Sequence, residues 1–443
     1  MKSSFEKAGD AKTRMAWWVA LLVTLIPIVC LAIPMYVIRP FRPQDPSQLA
    51  LALTVRDYAP WVTAVCAIAV VILSTWAWGN TRGRLYRIAF SAMSILAVAG
   101  ACLTHVNIFE IMFHPYDRPA FGTADAAHLD TDDKVLAVQI GSEAHAYPIR
   151  AMGYHHIVND TLGNTPIVVT YCTLCHTGLV WNRSLDGRTL YFRLAGINNG
   201  NALMRDVQTN SIWQQSTGQA IFGPLKGEQL ALIHSDELTF ALWRKERLDG
   251  LVLQADAPYA GKYEDKDWEK EVEKTRTVVD TRKTGIAPHE LMLGITMDGQ
   301  SRAYPLKSIL ASRLIEDQVA GIPILIVVGP DKESIRVFKA HVTEARATFL
   351  SVPSDFTTTG TVMQDAETSS NWNFEGCAVS GMSTGMCLAP VDANKDCWFD
   401  WMNHHPITTV LKSRPNFSRG RPLHPWVGTR PHLWGEDSAA SIG

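Results

Sequence analysis

The chain has 443 residues, with 41 lysines and arginines against 43 aspartates and glutamates, and a formal net charge of −2 at pH 7. This balance argues against a nucleic-acid partner, because nucleic-acid-binding proteins carry a basic patch. The chain is also long enough to bury a substantial core without metals or disulfides.

Three apolar runs open the chain, at residues 15–38, 58–78 and 85–113. Each supplies the ~20 residues that cross a hydrocarbon core, and the first is too long for a cleaved signal peptide. Basic residues are densest before the first run and in the second loop, which predicts a cytoplasmic N-terminus. We therefore expect a bacterial inner-membrane protein that contacts the lipid bilayer. Its C-terminal domain, from residue 114 on, would lie in the periplasm, where disulfides are tolerated.

The part beyond the membrane runs is predicted to be α+β and strand-rich. Its apolar stretches are short and are separated by Gly, Asn and Asp turn signals, which is typical of strands. Helical patterns are limited to four segments, at residues 150–158, 238–247, 307–319 and 397–404.

This outer part is internally duplicated, because matching segments recur about 157 residues apart (323 minus 166). The clearest matched pairs are Pro166 with Pro323, Trp213 with Trp372, and Trp243 with Trp401. A repeat of this kind predicts two similar structural units. The predicted organisation is a membrane domain at 1–113, a first copy at 114–256, a charged linker at 257–284, a second and degenerate copy at 285–413, and an irregular C-terminal arm at 414–443.

The first copy contains a Cys-x-x-Cys motif that the second copy lacks. At the same offset Cys172 falls on Gly329, Cys175 on Lys332, and His155 on Ser312. Two thiols that remain in only one copy of a duplicated scaffold suggest chemistry.

Four interpretations of the pair remain open. Cys172 and Cys175 could exchange between thiols and a disulfide. They could bind a soft metal together with His155 or His156, with His176 as an alternate ligand and copper favoured over zinc. The order Cys-x-x-Cys-His is also the attachment signature of c-type haem, with His176 as proximal ligand. Finally, the pair could be a structural disulfide or two buried, unreactive thiols.

Further residues are expected around this site. Tyr171 and Thr177 flank the cysteines and would orient them. A second group follows in the same copy, and we assign it an outer, supporting role: Met204, Arg205 and Asp206. In the second copy three cysteines predict one disulfide and one free thiol, and they are Cys377, Cys387 and Cys397.

Three segments carry a family resemblance, at residues 155–181, 205–230 and 239–243. They resemble the bacterial proteins grouped as domain of unknown function 3179, over about residues 113–411. The resemblance implies a Tyr-Cys-x-x-Cys motif in the first half and a degenerate second half, often behind membrane segments. It also implies His155 as the site histidine, and a small or polar residue where His176 stands, which disfavours haem.

We therefore expect a membrane-anchored periplasmic protein with a thiol-redox or copper-handling role, and the enzymatic version of that role is a thiol oxidoreductase. Its partner would be a periplasmic redox protein or a metallochaperone. The first alternative is a non-catalytic binding or assembly module with a structural disulfide. The second is a c-type haem electron-transfer protein.

Overall fold

The fold is taken from a computed structural model that describes residues 2–80, 83–263, 265–342, 345–351 and 361–411. The predicted C-terminal arm at 414–443 lies outside the described residues. The protein is α+β with many strands behind three N-terminal apolar helices, as predicted.

Three helices are long and apolar enough to cross a membrane, which supports membrane association. They are α1 (Lys2–Val37), α2 (Pro46–Asn80) and α3 (Arg84–Leu103), and a short α4 (Ile108–Met112) follows. The third helix ends ten residues before the predicted limit of 113, because the chain turns after Leu103 and Asn107 caps the separate helix α4. Small side chains let these helices pack closely, and Gly100 lies against Pro27.

The first copy forms three main sheets. Their strand orders are β1-β15-β3-β2-β14, β12-β11-β10-β9 and β13-β6-β5-β4. The elements are β1 (Phe121–Thr123), β2 (Lys134–Ile140), β3 (Glu143–Pro148), α5 (Ile149–His155), β4 (Ile157–Leu162), β5 (Thr165–Cys172), β6 (Thr177–Asn182), β7 (Ser184–Leu185), β8 (Arg188–Thr189), β9 (Phe192–Asn198), β10 (Asn201–Asp206), β11 (Ile212–Gln214), β12 (Ala220–Phe222), β13 (Leu232–Ile233), β14 (Ser235–Thr239), α6 (Phe240–Glu246) and β15 (Leu251–Leu253).

The charged segment at 257–284 does more than connect the copies. It contains a short α-helix, α7 (Trp268–Val272). Trp268 is buried and joins the same apolar cluster as Tyr171 and Val169. The segment is therefore part of the core that supports the cysteine hairpin.

The second copy repeats the order of the first from β2 onward. Both begin there with two strands, a seven-residue helix and three strands. Its elements are β16 (Leu291–Met297), β17 (Gln300–Pro305), α8 (Leu306–Ser312), β18 (Leu314–Val319), β19 (Ile322–Val328), β20 (Ile335–Lys339), β21 (His341–Val342), β22 (Ala345–Arg346), β23 (Phe349–Ser351), β24 (Thr361–Asp365), β25 (Asn371–Asn373), β26 (Ala378–Ser380), β27 (Ala393–Cys397), α9 (Trp398–His404) and β28 (Thr408–Val410).

The described chain divides into two compact units that do not coincide with the two sequence copies. The first unit comprises residues up to His289 together with Glu333–Ile335 and Lys395–His404. The second comprises Glu290–Lys332, Arg336–Asn394 and the residues from His405 on. Helix α9 and the end of β27 belong to the second copy by sequence, yet they are part of the first unit.

The cysteine prediction for the second copy is confirmed. Cys377 and Cys387 form a disulfide, and Cys397 is a free thiol. The disulfide lies in the second unit, whereas Cys397 belongs to the first.

Candidate functional site

The Cys-x-x-Cys motif occupies the turn of the hairpin formed by β5 and β6. Cys172 is the last residue of β5 and pairs with Thr177, the first residue of β6. The next residue is Gly178. A side chain there would be crowded, because its Cβ would lie 3.1 Å from the Tyr171 ring and 3.3 Å from Leu136. The hairpin thus holds the four intervening residues in a closed turn that brings the two thiols together.

The two thiols contact each other and the tip of a second hairpin. Cys172 Sγ and Cys175 Sγ are 2.9 Å apart, and both side chains are buried. The thiols donate to the Gly200 carbonyl, at 3.5 Å from Cys172 and 3.2 Å from Cys175. The Asn201 amide nitrogen lies 3.5 Å from Cys175 Sγ. Gly200 and Asn201 stand where β9 turns into β10, so two hairpin turns enclose the pair.

Two buried carboxylates from β27 and α9 complete the site. Thr177 donates its hydroxyl to Asp396 Oδ1 at 2.7 Å, and Asn201 donates Nδ2 to Asp400 Oδ2 at 2.9 Å. The Cys397 backbone N–H donates to the Cys175 carbonyl at 2.8 Å. All of these residues belong to the first unit. A segment of the second copy therefore supplies acids to the thiols of the first.

The sequence reasoning missed both acids, although the repeat contained a signal for them. At an offset of 158 (401 minus 243), Asp396 and Asp400 correspond to Leu238 and Leu242. A leucine that becomes a buried aspartate in one copy is the same kind of asymmetry that identified the cysteines.

Burial favours the protonated forms of Cys175 and Asp396. It raises the pKa of the Cys175 thiol well above its usual range, and the hydrogen bond with Cys172 and the nearby Asp400 act in the same direction. Burial and the neighbouring Asp400 also raise the pKa of Asp396 well above that of an ordinary carboxyl. Cys175 therefore does not have the lowered pKa that a nearby cation or a helix N-terminus gives to a reactive thiol.

Comparison with known proteins identifies the family. The sequence model of a family described as protein of unknown function (DUF3179) matches residues 111–421. The chain belongs to this family. Neither the curated proteins nor the solved structures contain a match to it.

His176 of this DUF3179 protein is buried beside a charged group. Its ring stacks on Trp268 with centroids 4.6 Å apart, and Nδ1 lies 3.5 Å from Glu269 Oε1. Burial lowers the pKa of His176. The contact with His176, together with Lys395, lowers the pKa of Glu269 to about 2. The imidazole is 1% exposed, so this conformation leaves no face of it open to a haem.

His155 and His156 occupy different environments. His155 donates Nδ1 to the His114 carbonyl at 2.6 Å, and Nε2 lies 3.1 Å from the Tyr263 hydroxyl. Both nitrogens are thus engaged within a tyrosine-rich cluster. His156 donates Nδ1 to the Tyr171 carbonyl at 2.9 Å, which places it next to the strand residue before Cys172. His156 is therefore hydrogen-bonded to the strand that carries Cys172, whereas the His155 ring contacts His114 and Tyr263.

The remaining predicted residues divide between the site and the scaffold. Thr177 reaches Asp396 as described, and Tyr171 is buried beneath the turn. Met204 is buried in β10 opposite Trp213. Arg205 lies 3.7 Å from Glu110 of α4, and Asp206 accepts from Trp213 Nε1 at 2.9 Å. These contacts of Met204, Arg205 and Asp206 are with the scaffold.

The donor set of this family member does not assemble the predicted metal site. Among the described residues, no group of three or more His, Cys, Asp and Glu side chains is arranged to hold a metal ion. Two thiolates on a tetrahedral zinc would be about 3.8 Å apart, given Zn–S bonds of about 2.3 Å. The observed 2.9 Å separation is shorter. This conformation therefore fits a sulfur pair close to bonding better than it fits a chelate.

Proposed function

We propose that the protein is a membrane-anchored thiol oxidoreductase in which Cys172 and Cys175 alternate between dithiol and disulfide. The observation that carries this proposal is the 2.9 Å separation of the two sulfur atoms. It exceeds a disulfide bond, which is about 2.0 Å long, by only about 0.9 Å. A small movement of the turn is therefore enough to form the bond.

The exchange is balanced by a disulfide on a partner protein. The two cysteines lose two electrons and two protons as their S–S bond forms, and the partner disulfide gains both and becomes two thiols. Cys172 is 4% exposed and Cys175 is fully buried. Cys172 therefore forms the mixed disulfide with the partner, and Cys175 attacks Cys172 to release it.

The location proposed for this chemistry is the outer face of a bacterial inner membrane. The basic residues around the first two apolar runs favour a cytoplasmic N-terminus, which puts the domain after the third helix in the periplasm. The Cys377–Cys387 disulfide supports this assignment, because structural disulfides persist in oxidising compartments. The partner is then a periplasmic thiol–disulfide protein.

A redox titration tests the proposal. The full-length protein in detergent is equilibrated with glutathione buffers of defined ratio, and its free thiols are trapped with a maleimide reagent. We expect Cys172 and Cys175 to become reactive together as a two-electron couple. Cys172→Ser and Cys175→Ser should lose the transition completely, and the matched control Cys397→Ser should keep it. If both thiols remain reactive at every ratio, the oxidoreductase proposal is wrong. It is also wrong if the pair resists reduction at every ratio, and that result would identify a structural disulfide.

Copper handling is decided in the same preparation. Two buried sulfurs are soft ligands of the type that selects Cu(I). If the reduced wild-type protein binds one equivalent of Cu(I) tightly, and Cys172→Ser loses this binding without a redox transition in the wild type, copper handling replaces the redox role.

A further inference from the structure

The buried acids next to the thiols have no role in the exchange as described so far. Resting on the proposed dithiol chemistry, we propose that Asp400 accepts the proton of the Cys175 thiol when Cys175 attacks the mixed disulfide at Cys172. The S–H bond of Cys175 breaks, its electron pair forms the new S–S bond, and the partner leaves as a thiolate. Asp400 then returns the proton to that leaving thiolate.

The side-chain amide of Asn201 contacts both the Asp400 carboxylate and the Cys175 thiol. Asn201 Nδ2 lies 2.9 Å from Asp400 Oδ2 and 3.5 Å from Cys175 Sγ. The sulfur and this oxygen are therefore no further apart than 6.4 Å, the sum of those two distances. Asn201 is itself held in place, because its Oδ1 accepts from Gln214 Nε2 and from the Ser216 backbone N–H.

Asp400 has an oxygen that is free to accept a proton. Its side chain is fully buried, and Oδ1 has no hydrogen-bond partner within the described part of the chain. His404 Nε2 lies 3.4 Å from Oδ1. A buried carboxylate oxygen without a partner lowers stability, so a catalytic use explains why the site contains one.

The second acid, Asp396, favours its own protonated form. Asp396 receives the Thr177 hydroxyl, and burial together with the Asp400 charge raises its pKa. Two adjacent carboxyls cannot both ionise easily, so a proton held by Asp396 leaves the other carboxyl of the pair as the acceptor that the proposal requires. The other titratable groups around the pair come from the turn, β14, α7, β27 and α9, and they are Cys172, His176, Glu237, Glu269, Lys395, Cys397 and His404.

The repeat gives an independent argument for pairing these residues. The second copy has Gly329 and Lys332 where the first has its cysteines, and the first copy has Leu238 and Leu242 where the second has its acids. Each copy thus carries one half of the chemistry, and the two halves meet in the first unit.

A two-phase disulfide reaction tests the role of Asp400. The full-length protein, with all its cysteines except Cys172 and Cys175 changed to Ser, is reduced and mixed with the aromatic disulfide DTNB. The first equivalent of coloured thiolate reports the mixed disulfide at Cys172, and the second reports its resolution by Cys175. In Asp400→Asn we expect the first rate to stay within threefold of the parent protein and the second to fall at least tenfold at pH 7.

Asp160→Asn is the matched control, because Asp160 is another carboxylate of the first unit, hydrogen-bonded to His145 and Tyr147. It should leave both rates unchanged, and Asp400→Glu should restore part of the second rate. A second phase of unchanged rate in Asp400→Asn, or an equal loss in Asp160→Asn, would overturn the assignment. Absence of any second release in the parent protein would instead refute the dithiol exchange itself.

If Asp400→Asn does not fold, as judged by circular dichroism and size exclusion, the parent protein still decides the question. Its second rate should depend on pH differently from its first rate, because only the second step passes a proton to Asp400. The same pH profile in both phases would overturn the proposal.

Discussion

The two copies share their backbone features but differ in the polar groups that they bury. Helices α5 and α8 each follow a proline, Pro148 or Pro305. Each is followed by a residue with a positive φ, His156 with φ 59° and Arg313 with φ 67°. These equivalences reproduce the same strand–helix–strand path in both copies.

A shared polar motif shows what a structural residue looks like in this duplication. Asp206 accepts from Trp213 Nε1 at 2.9 Å and from the Thr209 hydroxyl at 2.8 Å. Asp365 accepts from Trp372 at 2.9 Å and from Thr368 at 2.7 Å. An acid that recurs with the same partners holds the turn and the tryptophan in place, and it needs no chemical role.

The site residues behave in the opposite way, because each occurs in one copy only. The thiols have no counterpart in the second copy, and the acids have none in the first. Agreement between the copies is therefore the pattern of a scaffold residue, and a buried polar difference is the pattern expected of the proposed chemistry. The predictions that follow use variants of each class.

The largest effect is expected from removing the shared acid. Asp206→Ala and Asp365→Ala each leave a buried tryptophan N–H and a threonine without their acceptor. Unsatisfied buried donors cost about 1–3 kcal/mol each, so we expect about 3–5 kcal/mol of destabilisation in either unit. The measurement is the apparent melting temperature of the full-length protein in detergent. A loss in only one of the two variants would mean that the motif is not equivalent in the two copies.

A smaller, pH-dependent effect is expected at the helix ends that the copies share. Burial lowers the pKa of His156 to about 4, against about 6.5 in the unfolded chain. Its depressed pKa makes a contribution to stability that is present above pH 6.5 and is lost as the pH falls to 4. The expected loss is about 3 kcal/mol. His156→Asn, in which asparagine tolerates the positive φ, should remove this part of the acid sensitivity.

The control for His156 is Arg313→Asn at the equivalent position. Arginine stays charged throughout this pH range, so the variant should keep the wild-type acid sensitivity. Melting temperatures are compared between pH 7 and pH 4. His155 and His176 also have lowered pKa values, and they should leave a residual pH dependence in both variants. An unchanged pH dependence in His156→Asn would contradict the role assigned to its burial.

The sequence predicted the scaffold better than it predicted the site. The repeat offset correctly implied matching elements, because apolar periodicity and conformationally restricted residues are local signals. The sequence pattern predicted one helix over 307–319, whereas α8 ends at Ser312 and a strand begins at Leu314. The break is Arg313, which has a positive φ, and arginine gives no sequence signal for such a backbone. Asp396 is more than 200 residues from Cys172, so no local sequence pattern connects them. Only a position-by-position comparison of the two copies could have indicated that both belong to one site.

The smallest effect, and the sharpest contrast with the shared acids, is expected at Asp396. Its pKa is raised by burial and by Asp400, so its contribution to stability is present below about pH 4 and is lost as the pH rises through the folded-state value. Asp396→Asn cannot ionise, and its amide oxygen can still accept the Thr177 hydroxyl. We therefore expect a gain of about 1–2 kcal/mol at pH 8 and none at pH 4, which is the size of one relieved buried polar group. Melting curves at the two pH values measure it, with Asp365→Asn as the control that should lose stability at both. If Asp396→Asn were destabilising at pH 8, Asp396 would be a scaffold acid like Asp365, and the distinction between shared and unshared acids would fail at this position.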